Sequence, residues 1–573
     1  MSVARPPRRG LRRPPVRPDR ECRFARGLTS VKALELARGL VAGQITLAPH
    51  GPAPLGHPPD WASDPFGEPN WRFQFHTLRW AQALKRAYDE TGDAAFLHRY
   101  EDILRDWHER NPRETRLPEE PWGRHSTALR ARVYAVYAEA LNGRWPDWLR
   151  PALEQHADAL TDPEIYARWG GNQGLDQNVG LFAVASALGD TDRVETAITR
   201  TAKILRHCVD VEGTANEQAT EYQIHNYRRY HEAVRLFDDG QRELPAAFDR
   251  VSRMPDLIAY ATQPDGRRVL IGDTVDAPSR SVPGTVAEFA VSGGESGPRP
   301  PARVRMFRRG YLFVRSGWGG ERDPRDEALL VVRFGPRRLH HGHHDATAVS
   351  LYACGQRVIP NAGKYAYTSD DFREYVRSPR AQNAVTFPDA EFDPDGTSQL
   401  LWVWDGEEVA AARIRDHHYP EVVSERTVVF EHVTATLVTV DRFADRAGSP
   451  VTAEQRFRLD PSFEVQEVEP DRVLAAVGDG PRVVVQQLGA VDEVRVARGE
   501  TDPYDGWVSY RYGERQPTSV VVSSLTAAAG GFVTAIRCGP QGQEPADAGV
   551  VLDADGEVLR FASGRSFHLE PEK

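Results

Sequence analysis

The first half of the chain carries apolar residues at helical spacing. Between residues 31 and 289 the apolar positions recur every three or four residues, and the clearest case is the segment 96–107, which reads FLHRYEDILRDW. Such a repeat predicts an amphipathic helix whose apolar stripe faces a core. Six helices are predicted in this half, the sixth over residues 216–237. Short connections between successive helices are typical of a helical bundle, solenoid or toroid.

The second half shows the short apolar runs of β-strands. Clear examples are the segments 328–334, 426–440, 481–488 and 518–525, and Gly-rich or Asp-Gly turns separate them, as at 553–558. Many short strands without intervening helices predict an antiparallel β-sandwich. The predicted fold is therefore an α+β multidomain chain with a disordered basic Arg/Pro-rich tail (1–27), a helical domain (28–291), a linker (292–302) and a sandwich (303–573).

Composition narrows the choice of partners. The 573-residue chain has a formal net charge of -10, so nucleic acid is not an expected partner. Its four cysteines lack a metal or redox spacing, which fits a reducing compartment. Neither a secretory signal nor a membrane span is recognised, so a cytoplasmic location is expected. The sequence leaves the oligomeric state open.

One short stretch concentrates candidate chemistry. Four histidines and an aspartate fall within residues 340–345, HHGHHD, and a hairpin pattern over 346–359 follows directly. So many imidazole and carboxylate groups cannot all be buried without partners. They either form a solvated turn or converge on a ligand, a metal ion or a proton transfer.

Two helical segments also carry polar residues that the packing of an apolar core does not explain. In segment 212–237, Gln218, Tyr222, His225 and Arg229 are spaced to share one polar helix face, which is either solvated or the wall of a cleft. In segment 169–181, WGGNQGLDQNVGL, Asn172 stands at a helix start, where an N-cap is the simplest alternative to a functional role.

The order and spacing of several motifs resemble the heparinase II/III group of polysaccharide lyases, which includes alginate and oligoalginate lyases. In the helical half these are the segments 71–96, 121–133, 171–181, 212–227 and 264–274; in the β half they are 310–319, 341–355 and 373–385. The resemblance implies an (α/α) toroid followed by an antiparallel β-sandwich. It also implies β-elimination at a uronic acid, which needs an acid, a base and donors aimed at the carboxylate.

The resemblance also implies roles for individual residues. Tyr222 matches the tyrosine that acts as acid and in some members as base, while Asn172 and His341 match the residues that hold the carboxylate. Many relatives have a histidine where this chain has Gln173, which can donate a hydrogen bond but is not a base. The residues predicted to contact the substrate are Gln173, Glu217, His225, Arg229 and Trp122. We further predict that Tyr222 and Asn172 lie on a helical wall and His341 on a sandwich wall of one cleft.

A metal site is implied only weakly. Some relatives bind zinc through a histidine, an aspartate and a second histidine, and the matching positions here are His343, Asn361 and Gln382. Zn²⁺ seldom accepts neutral amides as ligands. We therefore predict that no cofactor is required, and that Asn361 and Gln382 hydrogen-bond to His343 instead.

Three functions fit the sequence. The first is a lyase for an acidic poly- or oligosaccharide. The second is a glycan-binding protein of lyase fold without activity, since Gln173 and the weakened metal motif depart from the pattern. The third is a glycoside hydrolase, because (α/α) toroids also carry glycosidases with paired carboxylates.

Overall fold

A computed structural model describes residues 30–113, 121–141, 143–166, 171–238, 240, 242–320, 322–540, 547–553 and 556–569. The predicted tail, residues 1–27, lies outside the described residues. The chain forms two compact units, Met1–His207 with Glu232–Phe248, and Cys208–His231 with Asp249–Lys573. The units alternate along the chain, because one helix contributes residues to both. The predicted domain limits, which follow chain order, stay a prediction.

Helices dominate the chain up to residue 291. In chain order they are α1 Ser30–Val41, α2 Pro69–His76, α3 Gln82–Thr91, α4 Ala94–Arg110, α5 Arg124–Ala140, α6 Leu149–Thr161, α7 Gly171–Leu188, α8 Thr191–Cys208, α9 Thr220–Phe237, α10 Asp249–Tyr260 and α11 Val286–Val291, with α12 Asp371–Arg377 later in the chain.

Local signals set several helix ends. Gly92 closes α3 in the left-handed conformation at φ 72°, and the Asp93 side chain caps α4 by accepting a hydrogen bond from Ala95 N. At the start of α8, Asp190 Oδ1 accepts a hydrogen bond from Arg193 N at 3.0 Å. Asp190 is therefore the cap of this helix.

The start predicted for α9 at residue 216 is wrong. Gln218 has φ 56°, which is outside the helical region, and its side-chain oxygen accepts a hydrogen bond from Leu339 N at 2.6 Å. The helix begins only at Thr220, whose hydroxyl donates to Val269 O at 2.6 Å. Gln218 is thus absent from the polar face of α9, which keeps Tyr222, His225 and Arg229.

Antiparallel sheets fill the rest of the chain. The short hairpin β1–β2 (Gln44–Thr46, Pro52–Pro54) lies among the first helices. A five-stranded sheet contains β3 Val304–Phe307, β4 Tyr311–Arg315, β5 Leu329–Arg333, β6 Val349–Ala353 and β7 Gln356–Ile359, in that order. A four-stranded sheet runs β17–β22–β13–β8, where β8 is Val385–Thr386, β13 Val451–Arg458, β17 Glu493–Arg498 and β22 Ser519–Ala527.

The largest sheet has eight strands, in the order β14–β15–β16–β23–β12–β11–β10–β9. Its strands are β9 Ser398–Asp405, β10 Val409–Asp416, β11 Val422–Glu431, β12 Thr436–Asp445, β14 Glu464–Val468, β15 Arg472–Ala476, β16 Arg482–Gln487 and β23 Ala529–Gly539. Smaller antiparallel pieces are β18 Glu500–Thr501 with β19 Tyr504–Asp505, β20 Trp507–Val508 with β21 Gln516–Pro517, and β24 Val550–Leu552, β25 Val558–Phe561 and β26 Ser566–His568. The segment 426–440, expected as one strand, is instead the paired parts of β11 and β12, which the turn at 432–435 separates.

Apolar faces of these sheets make one layered core in the second unit. Leu312, Leu330 and Leu351 of the five-stranded sheet share a buried cluster with Ala412 and Val428 of the eight-stranded sheet. The other face of the five-stranded sheet is covered by α10, where the Tyr260 and Phe313 rings lie 6.3 Å apart. Strands covered on both faces read as continuous apolar runs, as β4 and β5 do.

The first unit has its own core. Trp71, Trp107, Tyr134 and Leu153 are among its fully or almost fully buried side chains. No helix within the described ranges is long and apolar enough to cross a bilayer.

Candidate active site

The second unit brings together Tyr222 from the first turn of α9 and His341 from the loop between β5 and β6. Their rings are stacked, with centroids 3.5 Å apart and planes inclined by 8°. These two residues are 119 positions apart in the sequence, so only the fold places the phenol of one against the imidazole of the other.

Two segments of the chain, one at Gln218 and one at 272–273, hold the histidine loop in place. Gln218 Nε2 donates to Arg337 O at 3.0 Å, and Asp273 N donates to His341 O at 2.9 Å. Gly272 has φ 56°, and a Cβ built there would lie 2.5 Å from Gln218 O and from His341 O. Only glycine therefore lets the chain at 272 pass between these two carbonyls.

Asp273 is the charged centre of the site. Its carboxylate is almost fully buried and forms a two-pronged pair with Arg373, with N–O distances of 2.7 and 2.8 Å. His341 Nδ1 lies 3.1 Å from Oδ2, and His343 Nε2 lies 3.1 Å from Oδ1. Burial by itself would raise the pKa of Asp273, but hydrogen bonds from His341, His343 and Arg373 outweigh it and hold that pKa well below its usual range.

A second tyrosine joins the first to the histidine. The Tyr367 hydroxyl lies 2.5 Å from the Tyr222 hydroxyl and 3.2 Å from His341 Nδ1. Tyr367 is half exposed, so this end of the cluster is open to solvent. Lys364 Nζ lies beneath both phenol rings, 5.6 Å from the Tyr222 centroid and 5.0 Å from that of Tyr367.

Both phenols keep their protons at neutral pH. Burial raises the pKa of Tyr222, the hydrogen bond from Tyr367 lowers it, and the carboxylates of Glu221, Asp273 and Glu217 raise it again. Burial, followed by the hydrogen bond with Tyr222, also raises the pKa of Tyr367 well above its ordinary value. A phenol that keeps its proton is suited to act as a general acid rather than as a base.

The other residues predicted near Tyr222 lie on α9 or in the segment just before it. Glu217 Oε2 lies 3.5 Å from His341 Nε2, and Glu217 Oε1 accepts a hydrogen bond from Asn226 Nδ2 at 2.8 Å. The His225 ring lies 6.1 Å from the Tyr222 ring, and Arg229 is half-buried one turn further along α9. Tyr222, His341, Glu217 and His225 thus form one cluster.

Three predicted site residues lie in the first unit. Asn172 is the second residue of α7 and half-buried, so it is inside the first turn and not its N-cap, while Gln173 is exposed. Trp122 is a core residue: it is 5% exposed, and its indole donates to Asn111 O at 2.9 Å. Because its ring is enclosed by other side chains, the substrate contact predicted for Trp122 is not supported.

The three positions matched to a zinc site have hydrogen-bond partners outside that set. Asn361 Nδ2 donates to Leu270 O at 2.8 Å, and Gln382 Nε2 donates to Val376 O and Ser378 O at 3.1 and 3.2 Å. His343 bonds Asp273 instead, so the predicted hydrogen bonds from Asn361 and Gln382 to His343 are wrong. Within the described ranges, no group of three or more His, Cys, Asp or Glu side chains is arranged to hold a metal ion.

Sequence reasoning missed four members of the cluster, Asp273, Lys364, Tyr367 and Arg373. Asp273 and Arg373 stand in segments that carry the family resemblance, 264–274 and 373–385, which was the available signal for them. Lys364 and Tyr367 stand in GKYAYTS, which shows no periodicity or motif that marks a site.

Two models of one protein family match this chain. Residues 51–282 match the Heparinase II/III N-terminus model, and residues 300–548 match the Heparinase II/III-like, C-terminal model. The chain belongs to the heparinase II/III-like family. The predicted resemblance is therefore confirmed.

Individual relatives are distant in sequence and close in fold. A heparin-sulfate lyase of Pedobacter heparinus is 22% identical over 79% of this chain and 71% of its own length. The heparin-sulfate lyase of Bacteroides thetaiotaomicron is 21% identical over 55% of this chain and 51% of its own. The crystal structure of a heparan sulfate lyase from Pedobacter heparinus superposes with a TM-score of 0.80 at 17% identity, covering 97% of this chain and 92% of the other. These matches confirm the predicted fold class, helices followed by antiparallel sheets.

Proposed function

We propose that this protein is a polysaccharide lyase that cleaves a uronic-acid-containing glycan by β-elimination. The observation that carries the proposal is the stacked Tyr222–His341 pair with the Tyr367 hydroxyl bonded to Tyr222, because phenol and imidazole groups in contact are suited to the two proton transfers of an elimination. Membership of the heparinase II/III-like family supports it further.

The chemistry assigns each group a task. Neutral His341 takes the proton from C5 of the uronate, and departure of the glycosidic oxygen from C4 then leaves a C4–C5 double bond. Tyr222, whose raised pKa keeps its proton in place, donates to the departing oxygen. The hydroxyl–hydroxyl contact with Tyr367, which also reaches His341 Nδ1, gives Tyr222 a route to exchange its proton. The family resemblance implies that Asn172 donates to the substrate carboxylate.

The substrate is an acidic glycan, and heparin and heparan sulfate are the first to test because the named relatives are heparin-sulfate lyases. Chondroitin sulfate, hyaluronan and alginate extend the series.

We expect the purified protein to release products that absorb as unsaturated uronates from at least one of these glycans. Mass spectrometry of the products distinguishes the reactions, because an elimination product is lighter by one water than the hydrolysis product. New reducing ends without unsaturation would contradict the proposal in favour of a hydrolase. Binding of a glycan with no cleavage of any in the series would favour the non-catalytic reading.

We also propose that activity needs no zinc. The amide groups of Asn361 and Gln382 donate hydrogen bonds to backbone carbonyls, and His343 is already paired with the carboxylate of Asp273. Treatment with a strong chelator followed by desalting is expected to leave the turnover number unchanged, with elemental analysis of the same sample. Stoichiometric zinc, with activity lost on chelation and restored by zinc alone, would contradict this.

A further inference from the structure

The loop that carries His341 is anchored by a single buried carboxylate. Asp273 is 1% exposed, and each of its two oxygens contacts a different histidine, Oδ2 with His341 and Oδ1 with His343, both at 3.1 Å. A carboxylate this deeply buried is costly unless it is fully paired. The hydrogen bonds and the ion pair of Asp273 therefore hold its partners in place as well as the carboxylate itself.

Arg373 makes this arrangement stable. Its guanidinium contacts both oxygens of Asp273, and its Nη1 also donates to Lys364 O at 2.7 Å. A two-pronged arginine–carboxylate pair is planar and directional, so it sets the rotation of the carboxylate as well as its position. The plane of the carboxylate in turn decides where each imidazole nitrogen must lie.

We propose that Asp273, oriented by Arg373, is the positioning residue of the active site and fixes the tautomer and the orientation of His341 without a metal ion. The proposal rests on the proposed function for its role in turnover, but its structural content does not. It assigns to one buried ion pair the task that the zinc ion would serve in relatives that bind it.

The geometry has a definite consequence for protons. An ionised carboxylate only accepts hydrogen bonds, so the nitrogen that faces it must carry a hydrogen. His341 presents Nδ1 and His343 presents Nε2. The two histidines must therefore be protonated on opposite nitrogens. For His341 this leaves Nε2 without a hydrogen. Its contact with Glu217 Oε2, at 3.5 Å, is longer than the 3.1 Å contact of Nδ1 with Asp273, so the single hydrogen of the neutral ring lies on Nδ1.

Histidine-labelled protein tests this directly. In ¹⁵N NMR spectra recorded at a pH where both rings are neutral, His341 is expected as the Nδ1–H tautomer and His343 as the Nε2–H tautomer. The two signals are assigned by their loss in His341→Gln and His343→Gln. The Nε2–H tautomer for His341 in the unaltered protein would overturn the proposal. This measurement needs no substrate, so it stands even if no lyase activity is found.

Substitution tests the role in turnover. Asp273→Asn is expected to lower kcat about 10- to 100-fold with little change in KM, the usual size for a group that orients a functional histidine. Added to His341→Gln, the same change is expected to cost almost nothing more, because a positioning residue acts only through its partner. A folded Asp273→Asn protein with unaltered kcat, or full additivity of the two changes, would overturn the proposal.

The matched control is Asp441→Asn. Asp441 is a buried carboxylate in a two-pronged pair with Arg426 inside the sandwich, at 2.6 and 2.9 Å. It controls for the general cost of breaking a buried ion pair. We expect it to lower stability while leaving kcat per folded molecule unchanged. If Asp273→Asn does not fold, the tautomer measurement on the unaltered protein decides the proposal.

Discussion

Tyr222→Phe is expected to lower the turnover number by about 10²- to 10⁴-fold, the contribution typical of a general acid or base. The change removes one hydroxyl, the atom that lies 2.5 Å from the Tyr367 hydroxyl, and leaves the ring that stacks on His341. Because the ring packing stays, the thermal midpoint should change little and the loss should appear in kcat rather than in KM. Initial rates of unsaturated-product formation, with circular dichroism melts, measure both.

Tyr227→Phe is the matched control for that substitution. Tyr227 lies on the same helix but on its buried face, with 7% of its surface exposed, and its ring stacks on His231 at 5.3 Å. Removing its hydroxyl should leave turnover within a few-fold of the unaltered protein. Near-normal turnover in Tyr222→Phe, or an equal loss in both variants, would show that Tyr222 is not the acid.

Gly272→Ala is expected to be the most damaging small substitution near the site. The alanine would have to adopt φ 56°, and its Cβ would lie 2.5 Å from the carbonyl oxygens of Gln218 and His341. The left-handed conformation costs about 1–2 kcal/mol, and overpacking of this kind costs about 1–3 kcal/mol more. Since both oxygens belong to the segments that carry the site, relief of the clash must move His341, and activity should fall together with stability.

Gly355→Ala separates backbone strain from the clash. Gly355 also has positive φ, 75°, in the turn between β6 and β7, but a Cβ there would meet no atom within 4 Å. It should therefore cost only the conformational part, about 1–2 kcal/mol, with turnover unchanged. Denaturant melts and initial rates of both variants give the comparison. Equal destabilisation by the two changes would show that the close approach at Gly272 is of no consequence.

Periodicity alone was enough to find the helices and strands whose apolar faces are strongest. The segment 94–110, with Asp93 as cap and Gly92 before it, was predictable because its signals are local and agree with one another. The hairpin β6–β7 was found for the same reason. The joined prediction over 426–440 failed because the turn at 432–435, EHVTA around it, contains no glycine or proline to mark it.

The site was only half visible in the sequence. Tyr222, His341, Glu217 and His225 could be named, since their motifs and spacing mark them, but the helix start at Thr220 could not, because it depends on bonds from Gln218 to a loop more than a hundred residues away. Trp122 was predicted to contact the substrate, and only the packed core around it showed otherwise.

What the sequence by itself determined is the class of fold, the family and the residue types available for proton transfer, because these depend on local periodicity and on motifs that are contiguous in the chain. Only the tertiary structure decided which side chains are in contact. One buried carboxylate, Asp273, lies within hydrogen-bond distance of both His341 and His343, and the Tyr367 hydroxyl contacts the Tyr222 hydroxyl. Such contacts arise from backbone segments that meet through long-range packing, and the energy of a buried ion pair depends on that enclosure rather than on sequence spacing.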